Sequence, residues 1–79
     1  MVVCELLAMH DSHKSFYRKA LVIYHGGNTS LVSYDTVICT IKEDGKLDMK
    51  CDEGDLSVTT KRHLKEFRKQ FSYRINDEI

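Results

Sequence analysis

The stretch "LSVTTKRHLKEFRKQF", residues 56–71, decides the reading of the chain. Leu64, Phe67 and Phe71 recur at steps of three and four, which places them on one face of an α-helix. Thr59 or Thr60 is the expected N-cap, because a threonine hydroxyl accepts an amide hydrogen of the first turn. Lys61, Arg62, Lys65, Arg68 and Lys69 cover much of the remaining surface. The spacing predicts a helix over 59–72 whose apolar stripe needs a surface to sit on and whose basic back faces outward.

Upstream, that surface reads as a sheet. "FYRKALVIYH", residues 16–25, is rich in β-branched and aromatic residues. "GGN", residues 26–28, supplies residues that tolerate positive φ, so the chain reverses there. "SLVSYDTVICTIKE", residues 30–43, reads as one longer strand with Val37, Cys39 and Ile41 on one face. Val32 and Tyr34 fall on the other face, so a β-bulge is expected near Asp35 if both groups reach the core. The Asp-Gly of "EDGK", residues 43–46, is a hairpin signal, and "LDMKC" behind it alternates as a half-buried strand. The apolar "VVCELLAM", residues 2–9, fits a first strand or a helical turn equally. The tail, residues 73–79, is polar, with Tyr73 and Ile75 as candidate anchors. The expected fold is α+β: a three- or four-stranded antiparallel meander with one C-terminal helix packed across it. An N-terminal segment occupies 1–14 and the strands 15–52.

Length and composition bound the rest. Seventy-nine residues make one small domain, with 42% hydrophobic and 30% charged residues, as in ordinary globular chains. Such a chain buries only roughly 60–65% of its unfolded surface, so a partner or a second copy adds appreciably to its stability. Twelve bases balance twelve acids, which argues against sequence-blind nucleic-acid binding driven by excess charge. The charges are segregated, however. Glu43, Asp44, Asp48, Asp52, Glu53 and Asp55 dominate one segment, and six bases from Lys61 to Arg74 dominate the next. Cys4, Cys39 and Cys51 form no Cys-x-x-Cys pair. With no leader-like N-terminus and no long apolar run, the expectation is a cytosolic protein with reduced thiols.

Few patterns carry chemistry. His10 and His13, with Cys4 and His25, are donors zinc accepts, but their spacing matches no closed site, so no metal or cofactor is expected. Cys39 alternates with apolar residues, which points to an inert buried thiol rather than a nucleophile. The acids from Glu43 to Asp55 do not follow the alternating ligand order of a calcium loop. "GGN" precedes no helix, so it is no phosphate cradle. Two surfaces remain: the acidic run and the basic helix, the second helped by Tyr17, Tyr24 and Tyr34 if they share a sheet face. Basic helices also serve protein contacts, where Arg and Tyr are favoured anchors.

The Ser-Phe-Tyr-x-Lys-Ala stretch (15–20), Ser-Tyr-Asp-Thr (33–36) and Ser-x-Thr-Thr-x-Arg-His-Leu (57–64) followed by Phe67 carry a resemblance. Together they resemble a family of small domains of unknown function found in phages, plasmids and mobile elements of Gram-positive and gut bacteria. Arg18 replaces the glycine usual there, and the acidic insert "DMKCDEGD", residues 48–55, is longer. The resemblance transfers no catalytic residue. It implies a mobile-element setting, in which small non-enzymatic proteins act by binding and blocking a host protein, anti-CRISPR inhibitors among them. The expected function is therefore a non-enzymatic inhibitor of a host defence nuclease, a CRISPR nuclease for example. It would act through the phosphate-mimicking acids Glu43, Asp44, Asp48, Asp52, Glu53 and Asp55. The alternative is a small DNA- or RNA-binding accessory protein using Lys61, Arg62, Lys65, Arg68 and Lys69. Either way the chain is expected as a monomer or homodimer in the bacterial cytoplasm, away from membranes.

Overall fold

The computed structural model of the chain describes residues 1–9 and 19–76. Five strands form one antiparallel sheet in the order of the chain: β1 (Val2–Glu5), β2 (Ala20–His25), β3 (Asn28–Ser33), β4 (Thr36–Ile41) and β5 (Leu47–Met49). A 3₁₀ turn (Glu53–Asp55) leads into α1 (Val58–Gln70), the one α-helix among the described residues, which lies on one face. The class is α+β as expected, but with five strands rather than three or four. The expected strand over 16–25 is present from Ala20; residues 16–18 lie outside the described residues.

Two differences account for the strand count. The segment "VVCE" resolves the ambiguity of residues 2–9 in favour of a strand, pairing Cys4 with Val22. The segment 30–43 is two strands rather than one, because Tyr34 and Asp35 adopt φ of 49° and 70° and close a two-residue hairpin between Ser33 and Thr36. Positive φ at both central residues matches the right-handed twist of the flanking strands. The turn carries neither Gly nor Asn, so its sequence gives no ordinary signal. The extra residue is real but sits elsewhere. Leu31 pairs with Cys39 and Val32 with Val37, which leaves Ile38 as the insertion in β4. The bulge turns Ile38 and Cys39 both into the core and leaves Val37 in solvent.

The glycine turns behave as read. Gly26 and Gly27, both at positive φ, close the β2–β3 hairpin at the His25–Asn28 pair. In the β4–β5 hairpin the Gly45 amide donates to the Lys42 carbonyl at φ +91°, while the Asp44 carboxylate accepts the Lys46 amide.

Alternation then sorts the sheet. Ala20 and Val22, with Leu31, Cys39 and Ile41, join Leu64 and Phe67 of α1 and its C-cap residue Phe71 in one core. Phe67 is wholly buried, its ring 5.0 Å from that of Phe71. The cap of α1 is Ser57, whose hydroxyl accepts the Thr60 amide, rather than Thr59 or Thr60 themselves. Thr60 instead turns its own hydroxyl toward the sheet.

The tail is anchored by a residue the sequence pattern does not mark. Arg74 donates to the Thr29 hydroxyl and, at 2.9 Å, to the Gly27 carbonyl, and the Asn76 amide donates to the Gly45 carbonyl. Ile75 packs against the core, while Tyr73 is largely exposed.

Because Phe67 has no freedom to be replaced by water, Phe67→Ala should destabilise the domain by about 3–5 kcal/mol. Val58→Ala, on the exposed first turn, should stay within about 0.5 kcal/mol of wild type. Urea unfolding followed by circular dichroism measures both.

Candidate functional site

The buried arc of α1 is wider than its apolar stripe. His63 and Glu66 are also buried, and Gln70 donates to the Glu66 carboxylate and to the Leu7 carbonyl. The chain after β1 therefore runs along that flank of the helix. A polar chain of contacts crosses from helix to sheet: Ser57 to Thr60, Thr60 to Ser33, and Ser33 Oγ to His63 Nδ1 at 2.8 Å. The Tyr34 ring lies beside the His63 ring, 5.8 Å between centroids.

A serine on a histidine nitrogen is the geometry of an activated nucleophile. Here Ser33 is 2% exposed and His63 is 0% exposed, so no substrate carbonyl reaches the oxygen. The pair joins β3 to α1 across the core and satisfies polar groups that burial would otherwise make costly. The sequence holds both residues in separate motifs of the resemblance, 33–36 and 57–64, but nothing in their spacing signals that Ser33 and His63 meet.

The two buried arcs leave one side of α1 open, and the basic residues gather there. Lys61, Lys65, Arg68 and Lys69 line an open groove of about 870 Å³ together with Leu64, Ser72, Ile75 and Glu53. Lys61 and Lys69 are eight residues apart, so the cationic wall runs about 12 Å along the helix. Leu64 and Ile75 supply an apolar floor, and Glu53, from the 3₁₀ turn, is the one carboxylate among the described lining residues. Arg62, the fifth base of the sequence reading, is half-buried and is not part of the lining.

The six acids do not meet on one surface. Asp48 stands cross-strand from Thr40, on the sheet face away from α1, where the Lys50 ammonium at 2.6 Å holds its carboxyl below the ordinary carboxylate range. Asp44 caps the β4–β5 turn, and Asp52 caps the 3₁₀ turn by accepting the Gly54 amide. Glu53 borders the groove, and Glu43 and Asp55 are exposed.

The tyrosines do not form a stacking platform either. Tyr24 sits at the β2–β3 end of the sheet against Phe71, and Tyr34 sits at the opposite end in the β3–β4 turn. Tyr17, His10 and His13 lie outside the described residues. Among the described residues no three His, Cys, Asp or Glu side chains come close enough to hold a metal ion. No helix among them is long and apolar enough to cross a membrane.

Comparison with known proteins adds the lineage. A model of a family of unknown function, DUF8033, matches residues 4–78. The chain belongs to that family. No curated protein and no solved structure matches it. For this DUF8033 chain the site's chemistry must therefore be read from its own residues.

Cys39 illustrates the inert interior of the DUF8033 domain. Burial pushes its thiol up to about 12, so almost none of it is thiolate at neutral pH. With iodoacetamide at pH 8, exposed Cys4 should alkylate readily and Cys39 only after unfolding, which mass mapping of the peptides reads directly. Ser33→Ala removes a hydroxyl partner from His63 and Thr60 and should cost about 1–3 kcal/mol in the same unfolding assay.

Proposed function

We propose that this domain is a non-enzymatic binding module, and that its groove seats an acidic, amphipathic segment of a partner protein. The observation that carries the reading is the composition of the groove wall. Three lysines and an arginine from one helix flank a floor of Leu64 and Ile75. A partner helix or extended segment with acids on one side and Leu-like side chains on the other matches both features at once.

Nucleic acid fits this groove less well. Single strands are held by bases stacked on aromatic rings, and none of the described residues that line the groove is aromatic. Duplexes are read by elements that protrude into their grooves, whereas these cations border a concavity. A mobile-element setting, as the family resemblance implies, would make the partner a host protein whose own site becomes occluded. A defence nuclease with an acidic segment near its working surface is the first kind of target to test.

The probe is a fluorescein-labelled peptide of about twelve residues with Glu and Leu at helical spacing, titrated with the whole chain and followed by anisotropy. Binding should weaken at least tenfold, about 1.4 kcal/mol, in Lys65→Glu/Lys69→Glu. It should also weaken when the peptide's leucines become alanines. Lys50→Glu, which alters an ammonium that pairs with Asp48 and does not line the groove, should leave it unchanged. Labelled duplex and single-stranded DNA run in parallel. If DNA binds and the peptide does not, with affinity falling roughly 40- to 150-fold between 50 and 200 mM salt as three or four phosphate contacts would require, the protein-partner reading is replaced.

A further inference from the structure

The groove has an edge strand along the side that faces α1. Leu47 stands opposite Ile41 and Met49 opposite Cys39 in the β4–β5 ladder, so both side chains lie on the face that α1 covers and pack against its core. Glu53, four residues past β5, borders one end of the groove. Ile75 borders it too, and its neighbour Asn76 donates to the Gly45 carbonyl just ahead of β5. The groove therefore runs lengthwise between α1 and β5.

The backbone parity of β5 follows from its pairing. The Lys42 amide donates to the Lys46 carbonyl and the Lys50 amide to the Ile38 carbonyl, both at 2.9 Å. Between them the register is unbroken from Ile41–Leu47 to Cys39–Met49. In an antiparallel ladder alternate residues turn their amide and carbonyl groups to the same neighbour. Lys46, Asp48 and Lys50 thus bond toward β4, and the N–H and C=O of Leu47 and Met49 point outward. Among the described residues no strand pairs with that side. The turn ahead of β5 already takes a second segment of backbone, where the Asn76 amide meets the Gly45 carbonyl at 2.8 Å.

We infer that the partner's acidic segment binds as a strand added to β5, its backbone bonded to Leu47 and Met49 and every second side chain turned into the groove. The inference rests on the reading of the groove as a site for an acidic, amphipathic segment, and it names the conformation that segment takes. Partner residues opposite Leu47 and Met49 share their face of the sheet, which is the groove side. Side chains four residues apart on a strand are about 13 Å from each other. Lys61 and Lys69 span about 12 Å of helix. Two acids at that spacing reach both ends of the cationic wall, while an apolar residue midway meets the floor of Leu64 and Ile75. Asp48 and Lys50 pair on the opposite face of the sheet, so neither stands over the groove. β5 is only three residues long, a length that keeps an edge from pairing indiscriminately. Two outward residues hold a strand weakly by themselves, and the charges of the groove decide which segment stays.

Anisotropy on the whole chain tests the inference, with a fluorescein-labelled peptide of about twelve residues that carries Leu and Glu in turn at every second position and Thr between them. It should bind more tightly than the helically spaced Glu/Leu peptide, and Lys65→Glu/Lys69→Glu should weaken it. Backbone N-methylation is then moved along the peptide one residue at a time. Methyl groups on the amides that face β5 should weaken binding about three- to tenfold and those between them should leave it unchanged, a loss with a period of two. Loss at every central position marks a helix, and loss at none marks side-chain contact alone. Either pattern overturns the added strand and leaves the groove reading in place, as does tighter binding of the helically spaced peptide. If neither peptide binds, the groove reading falls and the added strand with it.

Discussion

The seating of Phe67 on the middle of the sheet is the contact the remaining structure depends on. A single sheet has two faces, and among the described residues one helix covers one of them. Leu64, Phe67 and Phe71 meet Val22, Leu31, Cys39 and Ile41 on that face. Everything else follows from where the contact places the helix. Its 63–66–70 flank is taken up by the polar contacts to β3 and by the chain after β1. Its other flank, left open, becomes the basic groove. The groove is therefore a by-product of packing in the first instance. Its cations need not be drawn together by attraction to one another; they collect because they are the residues of the helix that burial excludes.

That geometry also explains how a chain with no net charge presents a strongly cationic surface. The acids are spent on local structure along the β4–β5 hairpin and the 3₁₀ turn. Asp44 and Asp52 accept backbone amides, and Asp48 holds Lys50. Among the described residues Lys61, Lys65 and Lys69 form no ion pair. Exposed ion pairs contribute little to stability, so leaving these cations without a ring of carboxylates costs the fold little while keeping a long basic wall available. The balance of formal charge, read from composition alone, conceals this division of labour.

What could be read from the sequence tracks the strength of its local signals. The helix was legible because three large apolar residues repeat at helical spacing among charged residues, behind a run of Ser and Thr that can cap it. Gly26–Gly27 and Gly45 were legible because glycine marks positive φ. The Tyr34–Asp35 turn was not, since a tyrosine at φ 49° is held there by tertiary context, its ring resting beside His63. Missing that turn fused β3 and β4 and misplaced the bulge by three residues. The arc of buried His63 and Glu66 and half-buried Gln70 was hidden for a similar reason. Charged and polar residues on a helix read as solvent-facing unless their partners are known, and here the partners are Ser33 and the Leu7 carbonyl, 30 and 63 positions away. Four of the five bases assigned to the helix back do line one groove, but its apolar floor came partly from Ile75, in a tail whose anchoring by Arg74 has no periodic signature.

The Arg74 anchor has a consequence for the groove itself. Arg74 ties the segment after α1 to Gly27 and Thr29 at the β2–β3 hairpin, and Asn76 ties it to Gly45 at the β4–β5 hairpin. These two hairpins lie at the same end of the sheet, so the tail is held at two points along that end. Ile75 sits between them, and its position at the groove floor is fixed from both sides. A binding surface gains affinity when its ordering cost is met in advance by the fold. In this domain the apolar half of the groove is set by the sheet through the tail, and the cationic half by the helix through Phe67. The two halves keep their spacing because both are fastened to the same five strands.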